Sequence, residues 1–193
     1  MFVEYLQEVK KIFTQYKPKI IGEIGTHNGK SMLQMLNILL HDLKLSVEYT
    51  GYDMWGGTKK FHEQENNGKA IPDYYVALNR LENLHNTLGS KRDRLKYELI
   101  KGNTHDTLTK PRKFDFVFVD GGHSYKTVKH DYDMVKESKI VLIDDSDLEE
   151  IKRLVNEIEK DKEPNMIIKT WVPSGGKGIT RNRIHTQTVV IKE

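Results

Sequence analysis

FDFVFVDGGHSYKTVKHDY, the stretch from Phe114 to Tyr132, decides the fold that we expect for this chain. Its first part, Phe114–Asp120, is an apolar run that ends in an aspartate, which is typical of a buried strand in a parallel sheet. Between His123 and Ser138, apolar residues then recur every three or four positions, which predicts an amphipathic helix. A strand followed directly by such a helix is the repeating unit of an α/β protein.

The same strand-and-helix unit recurs on both sides of this stretch. The other predicted parallel strands are Lys19–Gly25, Val47–Asp53, Tyr97–Gly102 and Lys139–Asp145. The other predicted helices cover residues 1–17, 30–44, 73–88 and the segment after Asp147. Met166–Trp171 and Thr186–Lys192 follow as β-runs without a helix between them, so this hairpin pair is antiparallel. We therefore expect one α/β domain over residues 1–193, a doubly wound, mostly parallel seven-stranded sheet with one antiparallel strand in a C-terminal β-hairpin.

The composition excludes several classes of protein. The 193 residues include 31 Lys and Arg against 28 Asp and Glu, and no dense basic stripe argues for a nucleic-acid partner. The absence of cysteine excludes disulfides, thiolate metal sites and a Cys nucleophile. No apolar run predicts a membrane span, and the amphipathic start favours a helix over a signal peptide, so we expect a cytoplasmic protein. That first helix packs on its own sheet or on a second copy, which leaves a homo-oligomer open.

The first predicted strand ends in EIGTHNGKS, Glu23 to Ser31. Gly25 and Gly29 permit a tight turn and a close approach of backbone to a ligand just before a helix. A dinucleotide site would need a second glycine at His27, which argues against a nicotinamide-dependent oxidoreductase. Glu23 suits a cationic or amine-bearing ligand better than a phosphate.

The next two strand ends carry polar residues that suit a nucleoside. Asp53 could accept hydrogen bonds from ribose hydroxyls, or could cap the turn that follows it. Asn103 and Thr104 could bind an adenine edge, or could cap a helix. The ordered occurrence of these residues on successive strand ends favours nucleoside binding more strongly than any one of them.

The fourth and fifth strands end in carboxylates. Asp120 closes one strand, and Asp144 with Asp145 closes its neighbour, so the three side chains are expected to converge at one sheet edge. Carboxylates packed closely favour a cation between them, and oxygen ligands suit Mg²⁺ or Mn²⁺. In the rival interpretation, Asp145 caps the following helix and Asp120 only binds a cofactor. His123, on the loop after Asp120, is a candidate general base for a hydroxyl activated by the metal.

Taken together, EIGTHNGKS, YDMW, KGNTHDTL, FDFVFVDGGHSYKTVKHDY and VLIDD resemble the ordered motifs of class I methyltransferases, which have a Rossmann-like fold. The chain is most similar to the small-molecule O-methyltransferases with a D-G-x-H-x-Y motif, including those that methylate macrolide and aminocoumarin sugars. The resemblance spans Lys19 to Asp145. It implies methyl transfer from S-adenosyl-L-methionine to a small-molecule hydroxyl.

The resemblance also assigns roles to the residues already singled out. The residues expected to bind the cofactor are Glu23, Gly25, Thr26, Gly29 and Ser31 around its methionine part, Asp53 at its ribose, Asn103 and Thr104 at its adenine, and Asp120. Those that match metal ligands are Asp120, Asp144 and Asp145, and His123 stands where catechol-type enzymes carry a catalytic lysine. The insertion 54–93 and the loop Val172–Arg183 are candidates for a lid over the substrate. A nucleoside-binding protein that does not catalyse this transfer remains the alternative.

Overall fold

A seven-stranded sheet organises the fold, and the computed structural model describes residues 3–57, 71–172, 179–180 and 183–193. Its strands are β1 (Ile20–Ile24), β2 (Val47–Asp53), β3 (Leu95–Lys101), β4 (Phe116–Val119), β5 (Ile140–Ile143), β6 (Met166–Trp171) and β9 (Gln187–Lys192), while β7 (Ile179–Thr180) and β8 (Arg183–Ile184) form a separate short ladder. The order across the sheet is β3-β2-β1-β4-β5-β9-β6. β1 to β5 pair in parallel, and β9 is antiparallel to both of its neighbours. The predicted fold class is confirmed, with β9 as the single reversed strand.

Helices cover both faces of this sheet. They are α1 (Val3–Tyr16), α2 (Lys30–Asn37) with a π-helical continuation (Ile38–Asp42), α3 (Tyr74–Thr87) with a 3-10 turn (Gly89–Arg94), α4 (Thr104–Thr107), α5 (Tyr125–Val135) and α6 (Glu149–Lys160). The helix predicted over 30–44 therefore changes its hydrogen bonding at Ile38, where the amide of Leu43 donates to the Ile38 carbonyl. None of the helices in the described part of the chain combines the length and apolar content that a membrane span requires.

Two apolar layers hold the helices to the sheet. One contains Phe13, Leu36, Leu81 and Phe116, and the other contains Val128, Val135 and Leu154. The Phe13 ring of α1 meets the Phe116 ring of β4 edge to face, with centroids 4.8 Å apart. The first helix therefore packs on its own sheet, which decides between the two arrangements that its sequence allowed.

The two candidate lids lie only partly in the described chain. In the insertion 54–93, residues 74–87 form α3 and residues 89–93 belong to its 3-10 turn, and Leu81 and Leu84 are buried in the core. Residues 58–70 of that insertion, and 173–178 and 181–182 of the C-terminal loop, lie outside the described residues. A lid role for either segment stays a prediction.

Candidate functional site

A cavity of about 250 Å³ opens at the carboxyl ends of β1, β2 and β4. Ligands of open α/β sheets bind at this edge, because the strand order reverses there on either side of β1. The cavity is lined by Ile24, Gly25, His27, Tyr52, Asp53, Met54, Gly102, Asn103, Thr104, Asp120, Gly121, Gly122, Thr127 and Asp131. Five of the predicted cofactor residues are among them: Gly25, Asp53, Asn103, Thr104 and Asp120.

Gly25 lies where the loops after β1 and β4 touch. Its φ is +89°, and a Cβ on it would lie 1.8 Å from the carbonyl oxygen of Asp120. No side chain fits at that distance, so the close approach of these two loops requires glycine. This contact forms part of the cavity wall.

Asp53 caps the turn after β2 and also lines the cavity, so its capping role is shown and its binding to ribose stays a prediction. Its Oδ2 accepts a hydrogen bond from the backbone N–H of His27 (2.7 Å), and its Oδ1 accepts one from the N–H of Trp55 (2.9 Å). These bonds fix the direction of the carboxylate, which has lone pairs for about four hydrogen bonds.

Asn103 likewise combines a capping role with a place in the cavity wall. It is the N-cap of α4, where its Oδ1 accepts from the N–H of His105 (3.0 Å). The carbonyl of the adjacent Thr104 lies 3.1 Å from Nε2 of His130 on α5. α4 and α5 thus meet beside this end of the cavity.

Glu23 does not reach the cavity. It is fully buried on the face of β1 opposite Ile24, and it accepts hydrogen bonds from the hydroxyls of Ser31 and Tyr49. Burial raises the pKa of Glu23 to about 7, against the opposing effect of these two hydrogen bonds. Because side chains alternate between the faces of a strand, only Ile24 of this pair lines the cavity wall.

Thr26, Gly29 and Ser31 do not line the cavity either, so contact of these residues and of Glu23 with the cofactor stays a prediction. Thr26 Oγ1 lies 3.3 Å from the Tyr49 hydroxyl, and Gly29 is the left-handed N-cap of α2. Thr26, Gly29 and Ser31 therefore form the turn between β1 and α2 and its contacts with the buried side chains of Glu23 and Tyr49.

A second group of polar side chains meets the cavity at Asp120. Asp120, His123 and Asp145 each offer a ligand atom, and these atoms lie within 4.8 Å of one another. His123 Nε2 is 3.2 Å from Asp145 Oδ2, and both side chains are buried. The structure thus brings two of the three predicted metal ligands together with the predicted base.

Asp144 is not part of that group, which corrects the expected convergence of three carboxylates. Its Oδ1 accepts a hydrogen bond from Nε2 of Gln187 on β9 (2.9 Å). Burial, and then the neighbouring charge of Asp145, raise the pKa of Asp144. Both residues follow β5, and the left-handed φ of Asp145, +53°, turns the chain there, so that Asp144 contacts β9 while Asp145 faces His123.

Asp145 does not take the capping role of the rival interpretation either. The N-cap of α6 is Leu148, where no side chain caps the helix. The backbone carbonyl of Asp145 accepts a hydrogen bond from the amide of Leu148. Instead, Asp145 Oδ1 lies 2.9 Å from Nδ1 of His185, and Asp145, Asp147 and His185 form a second group of ligand atoms within 4.8 Å.

Sequence reasoning missed His185 and Asp147, and also the cavity residues Thr127 and Asp131. Thr127 and Asp131 are one helical turn apart at the start of α5, so helical spacing from the D-G-G-H loop could have found them. His185 lies next to Asp145 because β9 runs antiparallel to β5, and no local sequence pattern predicts this contact.

Solved structures with the same fold include several methyltransferases. An O-methyltransferase from Bacillus cereus, in complex with SAH, is 16% identical with a TM-score of 0.63, and the match covers 100% of this chain and 82% of that chain. TomG from Streptomyces achromogenes, an O-methyltransferase involved in tomaymycin synthesis and in complex with SAM, is 15% identical with a TM-score of 0.60 and coverages of 100% and 81%. A spermidine synthase from Thermotoga maritima is 17% identical with a TM-score of 0.54 and coverages of 98% and 59%. At these identities the likeness shows the fold alone.

The sequence itself identifies the family. No curated protein matches the chain. The family model described as a methyltransferase domain matches residues 23–146, which is more than half of the chain and includes the strand ends around the cavity. The chain therefore belongs to the methyltransferase domain family.

Proposed function

We propose that this protein transfers the methyl group of S-adenosyl-L-methionine to a hydroxyl of a small molecule, with the help of a divalent cation. One observation carries the proposal. Asp120 belongs both to the wall of the cavity and to the group of ligand atoms with His123 and Asp145. A methyl donor in the cavity would therefore lie next to a hydroxyl held at that group.

The cavity wall supports the choice of methyl donor. Asp53 presents a fixed carboxylate for ribose hydroxyls, and Asn103 and Thr104 present polar groups for adenine. The solved O-methyltransferases of the same fold were obtained with SAH or SAM bound. The sequence resemblance to sugar O-methyltransferases motivates a sugar or a similar natural product as the acceptor.

The chemistry of Asp120, His123 and Asp145 fits a divalent cation. Two carboxylates this close repel each other unless a cation lies between them. Two ligands about 2.1 Å from one ion are at most about 4.2 Å apart, so these donor atoms, which lie within 4.8 Å of one another, need only a small shift to bind a single ion. An imidazole beside two carboxylates favours Mn²⁺ over Mg²⁺. When bound, the ion would lower the pKa of an acceptor hydroxyl.

The transfer is an in-line displacement. The acceptor oxygen forms a bond to the methyl carbon while the carbon–sulfur bond breaks, the electron pair stays on sulfur, and the acceptor proton leaves to solvent. The protein contributes mainly by orienting both reactants, which can supply about 7–11 kcal/mol. In this proposal His123 is a cation ligand, and its role as general base is the competing assignment.

The test is methyl transfer from radiolabelled S-adenosylmethionine to a panel of sugars, catechols and glycosylated natural products. Chelator-treated protein should be inactive and should recover with Mn²⁺ or Mg²⁺, while Asp120→Asn should lose roughly 100-fold or more in rate. Asp115→Asn is the matched control, because Asp115 binds the Lys19 and Ile20 amides at the opposite edge of the sheet.

Three outcomes would overturn parts of the proposal. Full activity after chelation, together with an inactive His123→Ala variant, would show that His123 is the general base and that no metal takes part in the reaction. Binding of S-adenosylhomocysteine without transfer across the panel would favour a protein that does not catalyse methylation. A product carrying another group of the cofactor would indicate a different transferase, which the spermidine synthase of the same fold makes worth testing.

A further inference from the structure

The carboxylate of Asp145 faces two imidazoles, one on each oxygen. Oδ2 lies 3.2 Å from Nε2 of His123, and Oδ1 lies 2.9 Å from Nδ1 of His185. On the His123 side, Asp120 supplies a further ligand atom, and on the His185 side Asp147 supplies one. Asp145 thus joins two adjacent groups of three ligands.

The group on the His185 side is held by hydrogen bonds between two loops. The amide of Thr186 donates to Asp147 Oδ1 (2.9 Å), and the amide of Ser146 donates to the Thr186 carbonyl (3.0 Å). The hydroxyls of Ser146 and Thr186 are 2.8 Å apart, and the hydroxyl of Tyr5 on α1 donates to the carbonyl of His185. The loop before β9 is therefore fixed against the loop after β5, and the three ligands are positioned before any ion binds.

The spacing of these atoms matches a coordination shell. Two ligand atoms about 2.1 Å from a metal, at right angles to each other, lie about 3.0 Å apart. The two nitrogen–oxygen distances at Asp145, 2.9 and 3.2 Å, are close to this value. An ion could bind on either side of the carboxylate with little movement of the chain.

We propose that Asp145, Asp147 and His185 form a second cation position beside the one at Asp120 and His123, with Asp145 bridging the two. Two-metal sites place their ions about 3.5–4 Å apart, a separation that a bridging carboxylate spans. Each position combines one imidazole with carboxylates, so the pair selects transition ions such as Mn²⁺ or Zn²⁺ over Mg²⁺. The inference rests on the proposed function for the first position, at Asp120 and His123, with which it shares Asp145.

The experiment counts ions on the full chain. Protein freed of metal is dialysed against Mn²⁺, and separately against Zn²⁺ or Mg²⁺, and the bound metal is measured by mass spectrometry. We expect two Mn²⁺ per chain in the wild type, and one in His185→Gln, Asp147→Asn and Asp120→Asn. His41→Gln is the matched control, because His41 lies in the π-helical turn after α2, outside both ligand groups, and this variant should keep two.

A second readout covers the variants themselves. Two bridged Mn²⁺ ions couple magnetically, so the wild type should give a coupled spin-resonance spectrum, and the three single-ion variants the six-line spectrum of isolated Mn²⁺. Circular dichroism confirms that each variant is folded, and His185→Asn replaces His185→Gln if the latter is not.

The inference is overturned if His185→Gln and Asp147→Asn bind as much Mn²⁺ as the wild type. It is also overturned if the wild type binds a single ion that only Asp120→Asn removes, or if Mg²⁺ fills both positions as readily as Mn²⁺. Failure of the proposed function has a different signature, which is two Mn²⁺ per chain with no methyl transfer to any acceptor. Two ions per chain that the variants remove one at a time support the second position whatever the reaction is.

Discussion

Gly25 connects backbone conformation directly to the site. In Gly25→Ala, the new Cβ would overlap the Asp120 carbonyl, and the left-handed φ would add strain. We expect the free energy of unfolding to fall by at least about 3 kcal/mol, and binding of S-adenosylhomocysteine to be lost. Denaturant unfolding and calorimetric titration measure the two effects.

Gly89→Ala separates the strain from the overlap. Gly89 also has a positive φ, +56°, but a Cβ there would meet none of the described residues within 4 Å. This variant should lose about 1–2 kcal/mol and bind the ligand normally. Equal losses in the two variants would show that the Gly25 contact with Asp120 has no effect of its own.

Glu23 should make stability depend on pH. Its pKa rises from the ordinary 4.5 to about 7, so between these values the folded protein holds a proton that the unfolded chain has released. Stability from this group is therefore largest at low pH and declines as the pH rises through 7, by up to about 3 kcal/mol.

The Glu23→Gln variant tests this dependence, because it removes the titrating group. Its free energy of unfolding relative to the wild type should shift in its favour by about 3 kcal/mol between pH 4.5 and pH 8, measured in urea. Glu48→Gln, at an exposed carboxylate of β2, should show no such shift. Parallel curves for Glu23→Gln and the wild type would mean that Glu23 stays charged in the core.

At the residue scale, the sequence located the strand-end residues more reliably than the direction of their side chains. The sequence predicts Asp53, Asn103 and Asp120 at the ligand-binding edge because they lie at or just after the ends of strands, and all three line the cavity. Glu23 and Asp144 are predicted there for the same reason, but Glu23 points to the opposite face of β1 and Asp144 accepts a hydrogen bond from Gln187 on β9. His185 was missed because it reaches Asp145 only through the pairing of β9 with β5.

At the scale of elements, the start of α5 couples a helix cap to the site. Ser124 is the N-cap and accepts a hydrogen bond from the amide of Thr127, which lines the cavity. Ser124→Ala should cost about 1 kcal/mol of stability and weaken binding of S-adenosylhomocysteine, and Ser124→Asp should restore both. Urea unfolding and calorimetry provide the measurements.

The cap of α3 provides the comparison. Asp73 accepts from the amide of Tyr75 and caps a helix that contributes nothing to the cavity wall. Asp73→Ala should lose a similar amount of stability and leave ligand affinity unchanged. If both variants bind equally well, the Ser124 cap stabilises its helix without positioning the site.

Most elements were predictable because each carries a complete local signal. The apolar runs of β1, β2, β4 and β5 stand between turn residues, and the helices show regular apolar spacing. The π-helical turn at Ile38–Asp42 was not predicted, because apolar residues occupy its positions as they would in an α-helix. The short ladder of β7 and β8 was not predicted either, since strands of two residues have no periodicity.

At the scale of the whole molecule, the parallel sheet has one edge for ligands and one for structure. Asp53 lies at the carboxyl edge on the cavity, whereas Asp115 at the amino edge accepts hydrogen bonds from the amides of Lys19 and Ile20. Each carboxylate accepts hydrogen bonds from two backbone N–H groups, so Asp53→Asn and Asp115→Asn remove the same charge from similar hydrogen bonds. The two positions differ in the edge of the sheet on which they lie.

That difference decides the final prediction. A ligand at 100 times its Kd stabilises the folded state by about 2.7 kcal/mol, which corresponds to roughly 5–10 °C in Tm for a chain of this length. S-adenosylhomocysteine should therefore raise the Tm of the wild type and of Asp115→Asn by this amount, and that of Asp53→Asn by much less, as measured by calorimetric melting. An equal rise in Asp53→Asn would place the nucleoside elsewhere on the sheet, and NAD producing the larger rise would overturn the choice of cofactor.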